Sequence, residues 1–190
     1  MAKRVYFAFD YEDVSDFRAN VVRKHNFTGG VEKAGYFDAS IWEEAKNKDP
    51  TALKRLINTE LERTSVTAIL IGSQTYARRW VRYEIIKSVE RGNVLIGVHI
   101  NGIQDRFQKT KPLGPNPLDN LGLQISEDGK RGKPTVWDGQ KWIFYSDVDP
   151  FAINEQPPTS RGKHFQLSHW YSTYDWVAND GYNDFSNWIE

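Results

Sequence analysis

Cysteine is missing altogether from the 190-residue chain. Disulfides and thiolate metal sites are therefore excluded, and a reducing, cytoplasmic setting is the expectation. Net charge is missing as well, because 25 lysines and arginines balance 25 aspartates and glutamates. Without a basic field or a polybasic run, neither nucleic acid nor a membrane surface is expected as a partner. Long hydrophobic runs are lacking too. Met1 to Arg4 leads directly into a strand-sized stretch, so neither a secretory signal nor a membrane span is expected.

Several motifs that would announce a chemistry are also absent. No phosphate-binding loop with its lysine occurs, and no glycine-rich dinucleotide turn follows the first apolar run; the pair Gly29-Gly30 stands isolated. The four histidines, His25, His99, His164 and His169, lack metal-ligand spacing, so no metal site is expected. The serines have no nucleophile-elbow context. Asp10 and Asp13 follow the first strand, as in a receiver-type phosphoacceptor site. Such a site also needs a carboxylate at the end of the third strand, where Gly72 and Ser73 stand instead.

What is present alternates strand and helix patterns. RVYFAF (4–9) is rich in β-formers, and Asp13 or Ser15 suits the start of a helix with Val14, Phe17 and Val21 inward. GYFD (35–38) reads as a second strand. Asp49-Pro50 is a strong helix start, because proline at the first helical position gives up no hydrogen bond. The helix it opens places Leu53, Leu56, Ile57 and Leu61 on one face. VTAILI (66–71) and VLIGVHI (94–100) are almost continuously apolar, as expected of parallel strands covered on both faces. Between them lies a helix with Ala77, Val81, Ile85 and Val89 inward, closed by Gly92.

Four strands with three helices between them predict a doubly wound α/β fold with helices on both faces and a flavodoxin-like strand order. Residues 101–134, rich in proline and glycine, read as a long surface loop completing an α/β domain over 1–134. Residues 135–190 read as an aromatic-rich C-terminal extension packed on the same domain. It holds a hairpin turning at Asp138-Gly139 and a terminal helix with Phe185 and Trp188. Most of the seven tryptophans fall here and serve first as packing bulk.

Glu84 carries the chemical interest. It projects beside the apolar stripe of its helix, one turn after Trp80 and one turn before Ser88. A surface ion pair with Arg82, Lys87 or Arg91 is the plainer role for such a residue. Three strand ends nevertheless converge near it: Phe9-Asp10, Phe37-Asp38 and Gly72-Ser73. The carboxyl edge of the strands is where open α/β sheets place their ligands.

The boxes FAFDYED, YFDAS, DPTALKRLINTELERT and VTAILIGSQTYARRWVRYEI resemble the TIR-like domains of bacterial antiphage defence. Within them the chain is most similar to the TIR protein of the Thoeris system, along its whole length. LIGSQT followed by Trp80-Val81 and Tyr83-Glu84-Ile85 is the specific part; the first two boxes are individually weak.

The resemblance implies a flavodoxin-like fold and an enzyme that consumes NAD as substrate without a resident cofactor. It implies that Glu84, matching the family's helix glutamate, is catalytic. It implies cleavage of the nicotinamide–ribose bond and a cyclised ADP-ribose signal that activates a separate effector protein, in response to an unknown phage trigger. Many TIR domains carry a serine in the first box where this chain has Ala8, so contacts of that hydroxyl are not expected.

Phe9 or Phe37 is expected to stack on nicotinamide or adenine, and Asp10 and Ser73 to orient the ribose or phosphates. By the resemblance Asp38 lies in the loop that shapes the substrate cleft, with a turn-capping role equally open. Tyr76 and Trp80 are expected to shield Glu84 from water. Asp10 beside a diphosphate would repel it unless a basic residue intervenes. Two other readings stay open. One is a non-catalytic scaffold that self-associates through residues 37–42. The other is a nucleoside deoxyribosyltransferase-like enzyme, which uses a glutamate on a similar sheet.

Overall fold

The computed structural model describes residues 3–25, 32–33 and 49–190. Among the described residues, five parallel strands form the main sheet: β1 (Arg4–Phe9), β2 (Glu32–Lys33), β3 (Val66–Ile71), β4 (Val94–His99) and a short strand near the C-terminus, Thr173–Asp175. Their spatial order is β2-β1-β3-β4 followed by Thr173–Asp175, the doubly wound arrangement of a flavodoxin-like fold. In register, Tyr6 of β1 stands beside Thr67 of β3, and Phe9 beside Leu70. The expected second strand at 35–38 lies outside the described residues; Glu32 and Lys33 pair with Arg4 and Val5.

Alternation along the strands divides the core into two layers. Tyr6, Ala8, Ile69, Ile71 and Leu95 face helices α3 (Pro50–Leu61) and α4 (Arg79–Arg91). Val5, Phe7, Ala68, Leu70, Ile96 and Val98 face α2 (Arg18–His25) and α5 (Gly181–Trp188). β3 is buried along its whole length, as its unbroken apolar run requires.

The helix ends follow local chemistry. Asp49 caps α3 by accepting a hydrogen bond from the Thr51 amide at 3.0 Å, with Pro50 in the first turn. Leu53, Ile57 and Leu61 are its buried stripe, and Leu56 is only partly buried. α4 ends at Gly92, whose φ of 77° is the left-handed conformation that glycine adopts freely.

The first helix departs from expectation. Asp13 does not open a continuous helix; a short α1 (Glu12–Ser15) stops at Asp16, and Phe17 takes a φ of 71°. Phe17 is consequently 49% exposed rather than inward. The break turns Arg18 into the protein, where its guanidinium reaches the carbonyls of Ile103 and Lys109 and the Asp16 carboxylate. Ala19 and Val22 are the fully buried apolar residues of α2, while Val14 and Val21, expected inward, are partly buried and pack on the same layer. Ala77 also leaves its expected stripe: it lies in a short turn, Thr75–Ala77, and is exposed.

Residues 101–172 are not one loop plus an extension. After an irregular stretch, β5 (Leu121–Ile125), β6 (Arg131–Trp137), β7 (Trp142–Phe144), β8 (Phe151–Ala152) and β9 (His164–Gln166) form a second, antiparallel sheet. Leu121, Leu123, Ile125, Val136 and Phe151 pack it into the layer containing α3 and α4. β6 spans the expected 134/135 boundary. The expected hairpin is β6–β7, where Asp138 accepts hydrogen bonds from the Gln140 and Lys141 amides at 2.8 Å. β10 (Thr173–Asp175) then returns to flank β4, and α5 brings Phe185 onto the sheet. The C-terminal residues thus complete the parallel sheet.

Candidate active site

The crossover from β2 to the far side of β1 makes the β1/β3 carboxyl edge the topological switch point of the sheet. Asp10, at the end of β1, and Ser73, after β3, both lie there. Thr75 Oγ1 accepts a 2.8 Å hydrogen bond from the Gly72 amide and so shapes the turn into α4. No Cβ fits at Gly72: one built there would lie 2.0 Å from Asp13 Oδ2. Asp13 is itself buried, with Lys111 Nζ 3.4 Å from its other oxygen; burial pushes its carboxyl up to about 6, and Lys111 opposes that rise.

Glu84 is 4% exposed, so the solvent-facing ion pair is excluded. Tyr6, fully buried on the same face of β1, donates from its hydroxyl to Glu84 Oε1 at 2.6 Å. Burial pushes the Glu84 carboxyl up to about 8, and the Tyr6 hydrogen bond holds it lower than burial alone would. One turn on, Ser88 Oγ donates to the Glu84 carbonyl at 2.7 Å and meets Thr67 Oγ1 at 2.8 Å. Such a carboxylate, dry and held at one oxygen on a tethered helix turn, answers a positive charge far more strongly than one in water.

Arg78, at the N-cap of α4, donates through Nε to Asp10 Oδ2 at 2.6 Å and approaches Glu12 at 3.1 Å. Its side chain remains 42% exposed. A basic residue thus stands beside Asp10 at the edge of the sheet. Ser73, Tyr76 and Trp80 are half-buried. The Tyr76 carbonyl accepts from Arg82 at 2.8 Å. Trp80 packs on the layer that holds Glu84, its ring edge-on to Tyr83 and under Arg79.

Phe9 does not join this group. It packs on the opposite face of the sheet, under the Arg23 guanidinium at 5.1 Å. An odd step along β1 from Tyr6 puts its ring on the other side, so stacking beside Glu84 is ruled out for it. Phe37 and Asp38 lie outside the described residues, as does the 37–42 surface of the scaffold reading. The residues that reading by sequence missed are Tyr6, Thr67 and Arg78. A tyrosine two residues before Ala8, in an otherwise apolar buried strand, was the available signal for the first.

Among the described residues, no cluster of three or more histidines and carboxylates is arranged to hold a metal ion. No helix there is long and apolar enough to cross a membrane. A groove of about 720 Å³ opens at the other end of α4, lined by Arg91, Leu95, Trp170, Tyr174 and Trp188, away from Asp10 and Ser73.

A family model described as Thoeris protein ThsB, TIR-like domain, matches residues 6–105. That span runs from β1 past β4 and includes Glu84 and Arg78. The sequence is also 56% identical, over 191 residues covering all of both chains, to a protein of Bacillus cereus (strain MSX-D12). That relative carries the provisional name cyclic ADP-D-ribose synthase ThsB1.

Proposed function

The chain belongs to the Thoeris ThsB family with its TIR-like domain, and from that premise we propose how its fold does the family's chemistry. The protein is an NAD-cleaving enzyme of antiphage defence, an ADP-ribosyl cyclase-type enzyme whose product is a cyclic ADP-ribose-type signal to an effector. The observation that supports a catalytic role for Glu84 is its burial beside Tyr6 on the helix that starts at the β1/β3 switch point.

The reaction breaks the bond between the ribose anomeric carbon and the nicotinamide nitrogen. The bonding electrons leave with nicotinamide, which departs neutral, and the ribose becomes an oxocarbenium-like cation. The leaving group needs no proton. What the site must supply is a nearby anion, and Glu84 is that anion. In the free protein its raised pKa keeps it largely neutral near pH 7. The positive charge of the bound nicotinamide ring favours the ionised form, so substrate binding draws Glu84 into the anion that the reaction needs. Capture of the cation by an adenine nitrogen closes the ring; capture by water gives linear ADP-ribose. The cyclic product is lighter by one water.

Arg78 faces the NAD diphosphate while neutralising Asp10. Ser73 and Tyr76 line the ribose side, and Trp80 limits water around the helix turn that carries Glu84. Phe37 and Asp38 are retained as substrate contacts on the resemblance of their box alone. NAD is the substrate, and no resident cofactor or metal takes part. The protein works in the cytoplasm, a phage component triggers it, and self-association accompanies activation.

Protein recovered from phage-infected and uninfected cells, incubated with NAD and analysed by mass spectrometry, tests this reading. Nicotinamide plus a product one water lighter than ADP-ribose supports it. Base exchange on deoxynucleosides with NAD untouched points to the deoxyribosyltransferase chemistry, and silence in both preparations to the scaffold.

A further inference from the structure

Two adjacent strands grip Glu84 from below. Tyr6 and Thr67 are register partners on β1 and β3 and face the same layer. Thr67 reaches the backbone of Glu84 through Ser88, and Tyr6 reaches its carboxylate directly. The helix turn is held by one strand and the carboxylate end by the other, so neither can rotate without breaking a buried hydrogen bond.

We propose that Tyr6 is a positioning residue for NAD cleavage: its hydroxyl occupies Glu84 Oε1 and thereby presents Oε2 to the ribose. The inference rests on the catalytic reading of Glu84. Among the described residues, no hydrogen bond is made to Oε2, and Tyr6 is the group that donates to the carboxylate. A phenylalanine would fill the same space on β1. Burying a hydroxyl instead is unfavourable unless it meets a partner, and the partner here is Glu84. The donated proton favours the ionised carboxylate, the form that the sugar cation needs.

The surroundings leave this role to Tyr6. On α3, Glu60 is the further charged group that acts on Tyr6, and it raises the tyrosine pKa together with burial and Glu84. The phenol therefore stays a protonated donor throughout the working range. Thr67 and Ser88 are neutral hydroxyls that do not titrate there. No cation is paired with Glu84 among the described residues, so the phenol is the device that offsets its burial.

The test compares pH profiles of nicotinamide release for the parent, Tyr6→Phe, Glu84→Gln and protein carrying a ring-fluorinated tyrosine at position 6. Tyr6→Phe is expected to move the acid limb of kcat/KM upward by about one pH unit or more, as loss of a charge-assisted hydrogen bond does. Its kcat falls about tenfold, while KM for NAD stays close to the parental value. The fluorinated tyrosine, a stronger donor of the same shape, moves the limb downward; this arm also covers a Tyr6→Phe protein that does not fold.

A parental limb in a folded Tyr6→Phe protein, or an unmoved limb with the fluorinated tyrosine, overturns the proposal. Glu84→Gln separates the two levels. An active Glu84→Gln overturns the catalytic reading itself. An inactive Glu84→Gln beside a parental Tyr6→Phe overturns only the role of Tyr6.

Discussion

Ser88 Oγ stands 2.8 Å from Thr67 Oγ1 while donating its proton to the Glu84 carbonyl. A serine hydroxyl has one proton, so Thr67 must be the donor to Ser88. Asn93 Nδ2 in turn lies 3.3 Å from Thr67 Oγ1 and donates to it. A directed chain runs from the loop after α4, through β3, to the turn that bears the Glu84 carboxylate.

Ser88→Ala breaks that chain and leaves the Thr67 hydroxyl buried without its acceptor. A loss of about 1–3 kcal/mol of stability is expected, read by chemical denaturation. Nicotinamide release falls as well, because the Glu84 turn loses its tether to β3.

Glu84 makes the stability of the protein depend on pH. Its folded-state pKa of about 8 lies above the ordinary glutamate value. The stability contributed by the neutral form is therefore complete below the unfolded pKa and is lost as pH rises through the folded one. Glu84→Gln does not titrate. It is expected to be more stable than the parent by a margin that grows between about pH 4.3 and 8, at up to about 1.4 kcal/mol per pH unit. Thermal melts of both proteins across that range check this; a constant margin contradicts it.

Arg78→Gln removes the cation from the edge of the cleft and leaves Asp10 unneutralised there. KM for NAD is expected to rise about tenfold or more, as for loss of a charge-assisted hydrogen bond. Steady-state kinetics at low and high salt check this, and the parental KM should rise with salt more than the variant's.

Gly72→Ala puts a methyl where the Asp13 carboxylate now sits. The clash involves a side chain buried between α1 and the end of β3, and a loss of about 1–3 kcal/mol is expected. Equilibrium unfolding measures it.

The α/β layer was legible from the chain because its signals are strong and local. Asp49-Pro50 opens α3, Gly92 closes α4, and the unbroken apolar runs of β3 and β4 mark covered parallel strands. The fifth strand was not legible. Thr-Tyr-Asp at 173–175 is too short and too polar to show a period, and only its pairing with β4 makes it a strand. β5 and β6 were hidden by Gly122 and Pro134, which read as loop residues. The break at Phe17 comes from a tertiary demand, the buried guanidinium of Arg18, that no local pattern carries.

At the site, Glu84 and Trp80 were singled out by their spacing on one helix, and Asp10 and Ser73 by their places after the strands. The side of the sheet that Phe9 takes was not legible, because alternation from Tyr6 decides it and the partner of Tyr6 was unknown. Arg78 was passed over because a charge before a helix is ordinarily solvated; its pairing with Asp10 appears only when β1 and α4 are brought together.

The account stands on the carboxylate of Glu84, and its neutral isostere tests it most directly. With purified protein in its activated state, NAD and a mass-resolved assay for nicotinamide, Glu84→Gln is expected to fold and to release nicotinamide more than a hundredfold more slowly. That loss corresponds to about 3 kcal/mol of transition-state stabilisation. Release at the parental rate would contradict the mechanism.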